Sequence, residues 1–256
     1  MHYKSNYITD AIINLDLIED FTDSIVSIPQ DFFSIYQNLS IHKEIQSVNT
    51  RKLNFDIDGK INNYITETVH ELHCFSNDRS VETIISPQYL AIKTKKYTTF
   101  DDFKAPLPEI VNYFTKKFNK FRPRKLTLRY IDQIKIPENI SSSSWHSFWS
   151  DYINEDLLNN LNFLKGNDKK LSRQLNTIIW NHDDSIVRFT FGINNSNYPS
   201  PNKDKTFILD TEIFSIGLIE LNELNSSLDI FKDKAVEIFE KSITDLLRDK
   251  MGREDE

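Results

Sequence analysis

Asp210 and Glu212 are the residues of this chain whose spacing comes nearest to what catalysis needs. They stand two apart in Thr206–Ser215, a β-branched and aromatic run that predicts a strand, so both side chains share one face about 6.5–7 Å apart. Two carboxylates at that distance can bridge a divalent cation, or divide the work of general acid and general base. Ile208 and Phe214 flank them on the same face, however, and semi-buried acids need partners. A structural ion pair or a solvated stripe is therefore the plainer reading, and no Glu-x-Lys stands beside them to complete a nuclease set.

A second constellation is cationic. Along Arg124–Ile136 the even positions, Leu126, Leu128, Tyr130, Asp132, Ile134 and Ile136, form an apolar face broken only by Asp132. The odd positions carry Lys125, Arg129 and Lys135, a row that could bind a phosphate, an acidic protein surface or a nucleic-acid backbone. Cross-strand pairing with Glu67, Glu71 or Asp210 is the competing use of those charges. Asp132, lying in the apolar register, is expected to be a buried structural polar group held by a cation or a hydroxyl.

Other chemistry finds less support. In His70-Glu71-Leu72-His73-Cys74 the two histidines point to opposite sides of a strand, and His70 and Cys74 are about 13 Å apart along one side. No metal site is expected there, because the four-residue helical spacing of a His-Glu-x-x-His protease is absent. Cys74, the one cysteine, reads as a buried inert thiol, and no Gly-x-Ser-x-Gly elbow offers a serine nucleophile. With 5 glycines and neither a Gly-x-Gly-x-x-Gly nor a Walker-type lysine motif, no nucleotide cofactor is expected. Trp145 and Trp149, four apart, suit a core anchor or an interface patch.

The elements that would position these residues follow from periodicity. Strands are expected at Ile8–Leu17, up to Phe55 and Ile57, at Ile61–Phe75 after an Asp58-Gly59 turn, and at Val81–Ile85 and Tyr89–Lys95. Helical stretches are expected at Asp31–Leu39 and at Thr99–Phe121, the latter opened by a Thr99 cap with Asp102 three residues on. Pro106 and Pro108 should kink or restart that helix. The second half gives a strand at Arg124–Ile136 ending at Pro137, and a helical segment at Trp145–Leu164 ending at Gly166. Strands at Leu171–Asn181, Ser185–Ile193 and Thr206–Ser215 and a helix at Ser226–Met251 complete it. His182-Asp183-Asp184 reads as a hairpin turn.

Both halves thus show strand, helix, three or four strands and a long amphipathic helix. The expected fold is α+β, two similar halves at 1–122 and 123–256 packed as one unit. Each would be a mostly antiparallel sheet covered by its long helix, an order that resembles TATA-binding-protein-like and helix-grip folds. Hydrophobic residues at 39% and charged residues at 27% fit a globular chain with a sizeable core. A net charge of −7 disfavours nucleic acid and anionic membrane. The opening Met1-His2-Tyr3-Lys4-Ser5-Asn6 lacks a signal-peptide pattern and no run suits a membrane span, so a cytoplasmic protein is expected.

Three segments carry a family resemblance: Ile85-Ser86-Pro87-Gln88-Tyr89-Leu90-Ala91, Tyr97-Thr98-Thr99-Phe100-Asp101-Asp102-Phe103, and Leu128-Arg129-Tyr130-Ile131-Asp132-Gln133-Ile134. With Tyr7–Ala11 and Leu209–Glu212, they make the chain resemble a sporadically distributed bacterial family of uncharacterised proteins of about this length. It departs from that pattern at Asp132, where the family has Asn, and at Phe100, where it has Trp. The resemblance implies no activity, and the patchy distribution implies phage-defence or toxin-linked genes. The reading that results is a non-enzymatic binding or assembly protein with a protein partner. A metal-dependent hydrolase or nuclease using Asp210 and Glu212 is the alternative, and a helix-grip binder of an apolar small molecule the second.

Overall fold

Alternation of apolar and polar residues dominates the chain, and in the computed structural model it becomes an antiparallel sheet. The structure describes residues 2–21, 32, 42–55, 61–136, 144–164, 171–195, 197–200 and 206–254. The sheet strands are β2 (Ile8–Leu17), β3 (His42–Phe55), β4 (Ile61–Phe75), β5 (Val81–Ser86), β6 (Tyr89–Thr94), β7 (Pro123–Lys135), β8 (Gln174–His182), β9 (Ser185–Ile193) and β10 (Thr206–Ser215). A short β1 (His2–Tyr3) pairs separately with β11 (Arg253–Glu254). The helices are α1 (Phe100–Lys104), α2 (Leu107–Lys117), α3 (Trp145–Trp149), α4 (Asn159–Asn162), α5 (Leu224–Ser242) and α6 (Asp245–Met251). The expected helix at Asp31–Leu39, apart from Phe32, the Asp58-Gly59 turn, Pro137 and Gly166 lie outside the described residues.

The nine strands form one sheet in the order β3-β4-β5-β6-β2-β7-β10-β9-β8. This corrects the expectation of two similar halves, each a sheet under its own long helix. The physical reason lies in β2 and β7. Each was expected to open a separate half, yet they are neighbours: the Gln133 N–H donates to the Tyr7 carbonyl and the Ile18 N–H to the Arg122 carbonyl, each at about 3 Å (2.9 and 3.0 Å). Pairing satisfies a row of main-chain groups that two separate sheets would leave as open edges.

The long helices are also broken. Thr99–Phe121 divides into α1 and α2 at Ala105-Pro106, because a proline nitrogen has no N–H for the ladder. The expected helix at Ser226–Met251 divides into α5 and α6, where Thr244 starts a new cap and its hydroxyl donates to the Asp151 carbonyl at 2.6 Å. Thr99 caps as its spacing predicts: its oxygen accepts from the Asp102 N–H at 3.1 Å, and its hydroxyl donates to the Asp102 carboxylate at 2.7 Å. Replacing Thr99 with Ala should cost about 1 kcal/mol in urea unfolding. A change below a few tenths would show that the cap contributes nothing.

Contacts gather the chain into two compact units, each discontinuous in sequence. One comprises Met1–Ala11, Thr127–Ile216 and Asn225–Glu256; the other comprises Ile12–Leu126 and Gly217–Leu224. In the second, α2 buries Leu107, Ile110, Val111 and Phe114, one helical stripe. Phe114 anchors an aromatic cluster with Phe21, Phe32 and Phe121 at ring distances of 5.1–5.5 Å. The first unit has its own core, where Trp149, Phe207, Leu209, Ile134 and Leu247 pack together. α5 buries Leu228, Phe231 and Ala235, whereas Leu246 of α6 is exposed.

Candidate functional site

The face of β7 that carries Lys125 and Arg129 continues across β10 and β9, because the registers place Glu212 opposite both Arg129 and Arg188. Asp210 lies one step along, opposite Ile131 and Thr190. Arg129 takes both oxygens of Asp210, Nε to Oδ1 at 2.8 Å and Nη2 to Oδ2 at 2.6 Å. Arg188 holds Glu212. The structure therefore brings Asp210, Glu212 and Arg129 together, but as a ladder of alternating charge. The Asp210 hydrogen bonds hold the Arg129 guanidinium more firmly protonated than usual, against the opposing effect of its burial. Lys125 pairs with Asp16 at 2.9 Å, and Lys135 is exposed at the far end of β7 opposite Thr206.

This arrangement limits the chemistry available. A carboxylate that accepts two guanidinium hydrogen bonds has its charge already matched by that cation, which repels a second one and makes it a poor metal ligand. Among the described residues, no three His, Cys, Asp or Glu side chains cluster as metal ligands would.

Asp132 lies in the apolar register, as the alternation implies, with only 5% of its surface exposed. Its register neighbour is Leu209, and Tyr130 and Ile134 flank it on the same side. The expected cation or hydroxyl is not there: among the described residues, no hydrogen-bond or ion-pair partner reaches its carboxyl. Burial pushes its pKa up to about 7, and the nearby Asp210 charge adds to the shift.

Sequence reasoning passed over one polar cluster. Glu71 and His73 of β4 are both buried, and Glu82 of β5 and Tyr89 of β6 reach them from the adjoining strands. His73 Nδ1 lies 2.7 Å from Glu82 Oε1 and its Nε2 lies 3.3 Å from Glu71 Oε2, while the Tyr89 hydroxyl donates to Glu71 Oε1 at 2.6 Å. Both imidazole contacts are satisfied only if both ring nitrogens donate or a carboxyl carries the proton. Burial is the first cause holding the Tyr89 hydroxyl protonated, with the Glu71 bond next. A hint was legible in Glu71 and His73, two apart on one strand face, but Glu82 and Tyr89 join only through strand pairing. His70 instead meets Ser47, and burial pushes the Cys74 thiol up to about 11, an inert position. Trp149 is a core anchor, its ring 5.2 Å from Phe207, and Trp145 packs against the same core.

Beside α5 lies a cleft of about 760 Å³. Its apolar wall includes Trp180, Leu157, Phe189 and Ile238, and its rim carries Lys234, Lys241 and Arg248. Each of those cations is engaged: Lys234 with the His182 carbonyl and the Ser185 hydroxyl, Lys241 with Glu237, and Arg248 with Glu240 and Asp245. Trp180 belongs to β8, the last strand of the sheet among the described residues. At the middle of β8, Ile178 is 48% exposed and Ile179 is 63% exposed. Adjacent residues of a strand point to opposite faces, so this strand leaves apolar surface open on both. No family model matches this chain, and no curated protein matches it.

Proposed function

We propose that this is a non-enzymatic binding or assembly protein that engages another polypeptide at β8, which ends the sheet among the described residues. The observation that carries the reading is the pair Ile178 and Ile179, exposed on opposite faces of a terminal strand. A sheet end offers main-chain donors and acceptors in register, and natural sheets normally blunt it with charge or proline. β8 contains neither.

The rival readings have less behind them. Asp210 and Glu212 are held by Arg129 and Arg188, which leaves no vacant carboxylate pair for hydrolysis. The cationic row that could bind a phosphate, an acidic protein surface or a nucleic-acid backbone is interleaved with acids, in a chain of net charge −7. The apolar stripe of α2 is packed against rings and aliphatic side chains, and the cleft beside α5 is rimmed by the engaged cations Lys234, Lys241 and Arg248 with Glu237 and Glu240, a mixed lining that suits a small apolar ligand poorly. The phage-defence or toxin-linked setting belongs to this proposal on the strength of the family resemblance alone.

A photo-crosslinking residue at position 179, in the native host, should give a covalent adduct with a polypeptide. The same residue at Phe163, which is exposed but outside the sheet, should give none. Proline at 177 should abolish the adduct. If position 179 crosslinks no more than position 163, the strand-addition reading is wrong.

A further inference from the structure

We infer that the polypeptide received by β8 is the β8 strand of a second copy of this chain, paired antiparallel about a two-fold axis at Ile179. The inference rests on the proposed role of β8 and names its partner.

The backbone comes first. His182 pairs with Ser185 across the two-residue turn Asp183-Asp184, and a turn that short closes only on residues that exchange both main-chain hydrogen bonds. The even residues of β8 therefore bond to β9, and Leu175, Thr177, Ile179 and Asn181 direct their N–H and C=O groups outward. Two such strands meet with outward residues opposed when Ile179 faces Ile179 of the second copy. In that register Thr177 faces Asn181 of the second copy, twice by symmetry. Ile178 faces Trp180 of the second copy, also twice, at the closer, non-hydrogen-bonded positions where side chains touch best. From Thr177 to Asn181, apolar thus meets apolar and polar meets polar on both faces.

Charge selects a second copy over an unrelated strand. The two terminal strands of this sheet are built differently. β3 carries Lys43, Glu44, Arg51 and Lys52, whereas β8 has no Asp, Glu, Lys or Arg in nine residues, in a chain where 27% are charged. Like charges directly opposite are destabilising, and a strand that meets itself must keep them off the pairing row. The flanks complement each other: exposed Arg173 precedes β8, and the exposed acids Asp183 and Asp184 follow it. Antiparallel pairing centred on Ile179 sets Arg173 opposite Ser185 of the second copy, next in the chain to the acids Asp183 and Asp184, at both ends of the interface. A parallel pairing would lose that match.

Sedimentation of the purified full-length protein tests the inference without any other polypeptide. The expected species at micromolar concentration has twice the 30.1 kDa chain mass. Ile179→Pro removes one outward donor and leaves β9 its bonds, so it should sediment as a monomer with an unchanged circular dichroism spectrum. Arg173→Glu sets like charges beside Asp184 and should raise the dimer dissociation constant about tenfold or more. The double variant Arg173→Glu with Asp184→Lys restores opposite charges within one chain and should recover the dimer. A wild type that stays monomeric up to ~100 µM, far above a micromolar dissociation constant, overturns the second copy. Crosslinking from position 179 to a different protein would then still uphold strand addition. A dimer indifferent to Ile179→Pro and Arg173→Glu overturns the location.

Discussion

Asp132→Asn should raise the melting temperature by roughly 5–10 °C near pH 8, and by little near pH 4. The carboxyl lies in the apolar register of β7 with hydrophobic neighbours, and its folded pKa is raised from 3.8 to about 7 by burial, with Asp210 contributing. Below pH 3.8 the folded and unfolded chains both hold the proton, and Asp132 costs nothing through ionisation. As pH rises from there to about 7, the unfolded chain loses its proton first, so the folded state loses stability throughout that window. Above about 7 both forms are ionised and the full penalty is present. A shift of about three pKa units corresponds to roughly 4 kcal/mol. Asparagine removes the charge and keeps the shape, but brings an amide that also wants partners, so a net gain of about 2–4 kcal/mol is the expectation. Thermal unfolding of both proteins across pH is the measurement. A gap that does not grow between pH 4 and pH 8, or a less stable asparagine variant at pH 8, would rule out a buried, uncompensated carboxyl.

The fold was legible in the sequence where local periodicity decides it. The alternation in Arg124–Ile136 gave the side of the strand on which Asp132 lies, Thr99 and Asp102 gave the start of α1, and His182-Asp183-Asp184 gave the β8–β9 turn. A period of two reports which face a residue occupies and nothing about which strand lies alongside. The adjacency of β2 and β7 was hidden for that reason, and with it the single sheet. The same limit hid Arg188 as the partner of Glu212, and the meeting of Glu82 and Tyr89 with Glu71 and His73. It also hid β8 as a terminal strand, since Leu171–Asn181 reads like any other strand until its place in the order is known. Prolines 106 and 108 did announce the α1–α2 break, while the α5–α6 break at Thr244 carries no such mark. There a tertiary bond, from the Thr244 hydroxyl to Asp151, competes with helix continuation and wins.

Arg129→Glu should destabilise the protein by about 2–4 kcal/mol, while Lys125→Glu should cost under about 1 kcal/mol. Both residues belong to the row that could have been a recognition surface, and the structure gives them different tasks. Arg129 is partly buried and holds Asp210 by two hydrogen bonds, with Glu212 directly opposite in the register. Glutamate there would leave Asp210 without its cation and place three carboxylates on adjoining positions of two strands. Lys125 pairs with Asp16, with both side chains reached by water, where ion pairs contribute little. Urea unfolding of each variant and of the charge-swapped Arg129→Glu with Asp210→Arg supplies the measurement. The swap should recover at least half of the single-variant loss, because it restores the pair while Glu212 keeps Arg188. Asp210→Ala and Glu212→Ala extend the test to the hydrolase reading: each orphans an arginine and should lower stability by about 1–3 kcal/mol. Variants that fold with wild-type stability would return these carboxylates to the list of groups available for chemistry. An Arg129→Glu protein as stable as the wild type would show that the Asp210 pairing is incidental. Removing the Asp210 charge also withdraws the second cause of the raised Asp132 pKa, so Asp210→Asn should move the pH-dependent loss of stability at Asp132 to lower pH. That shift would tie the charge ladder on one face of β7 to the buried carboxyl on the other.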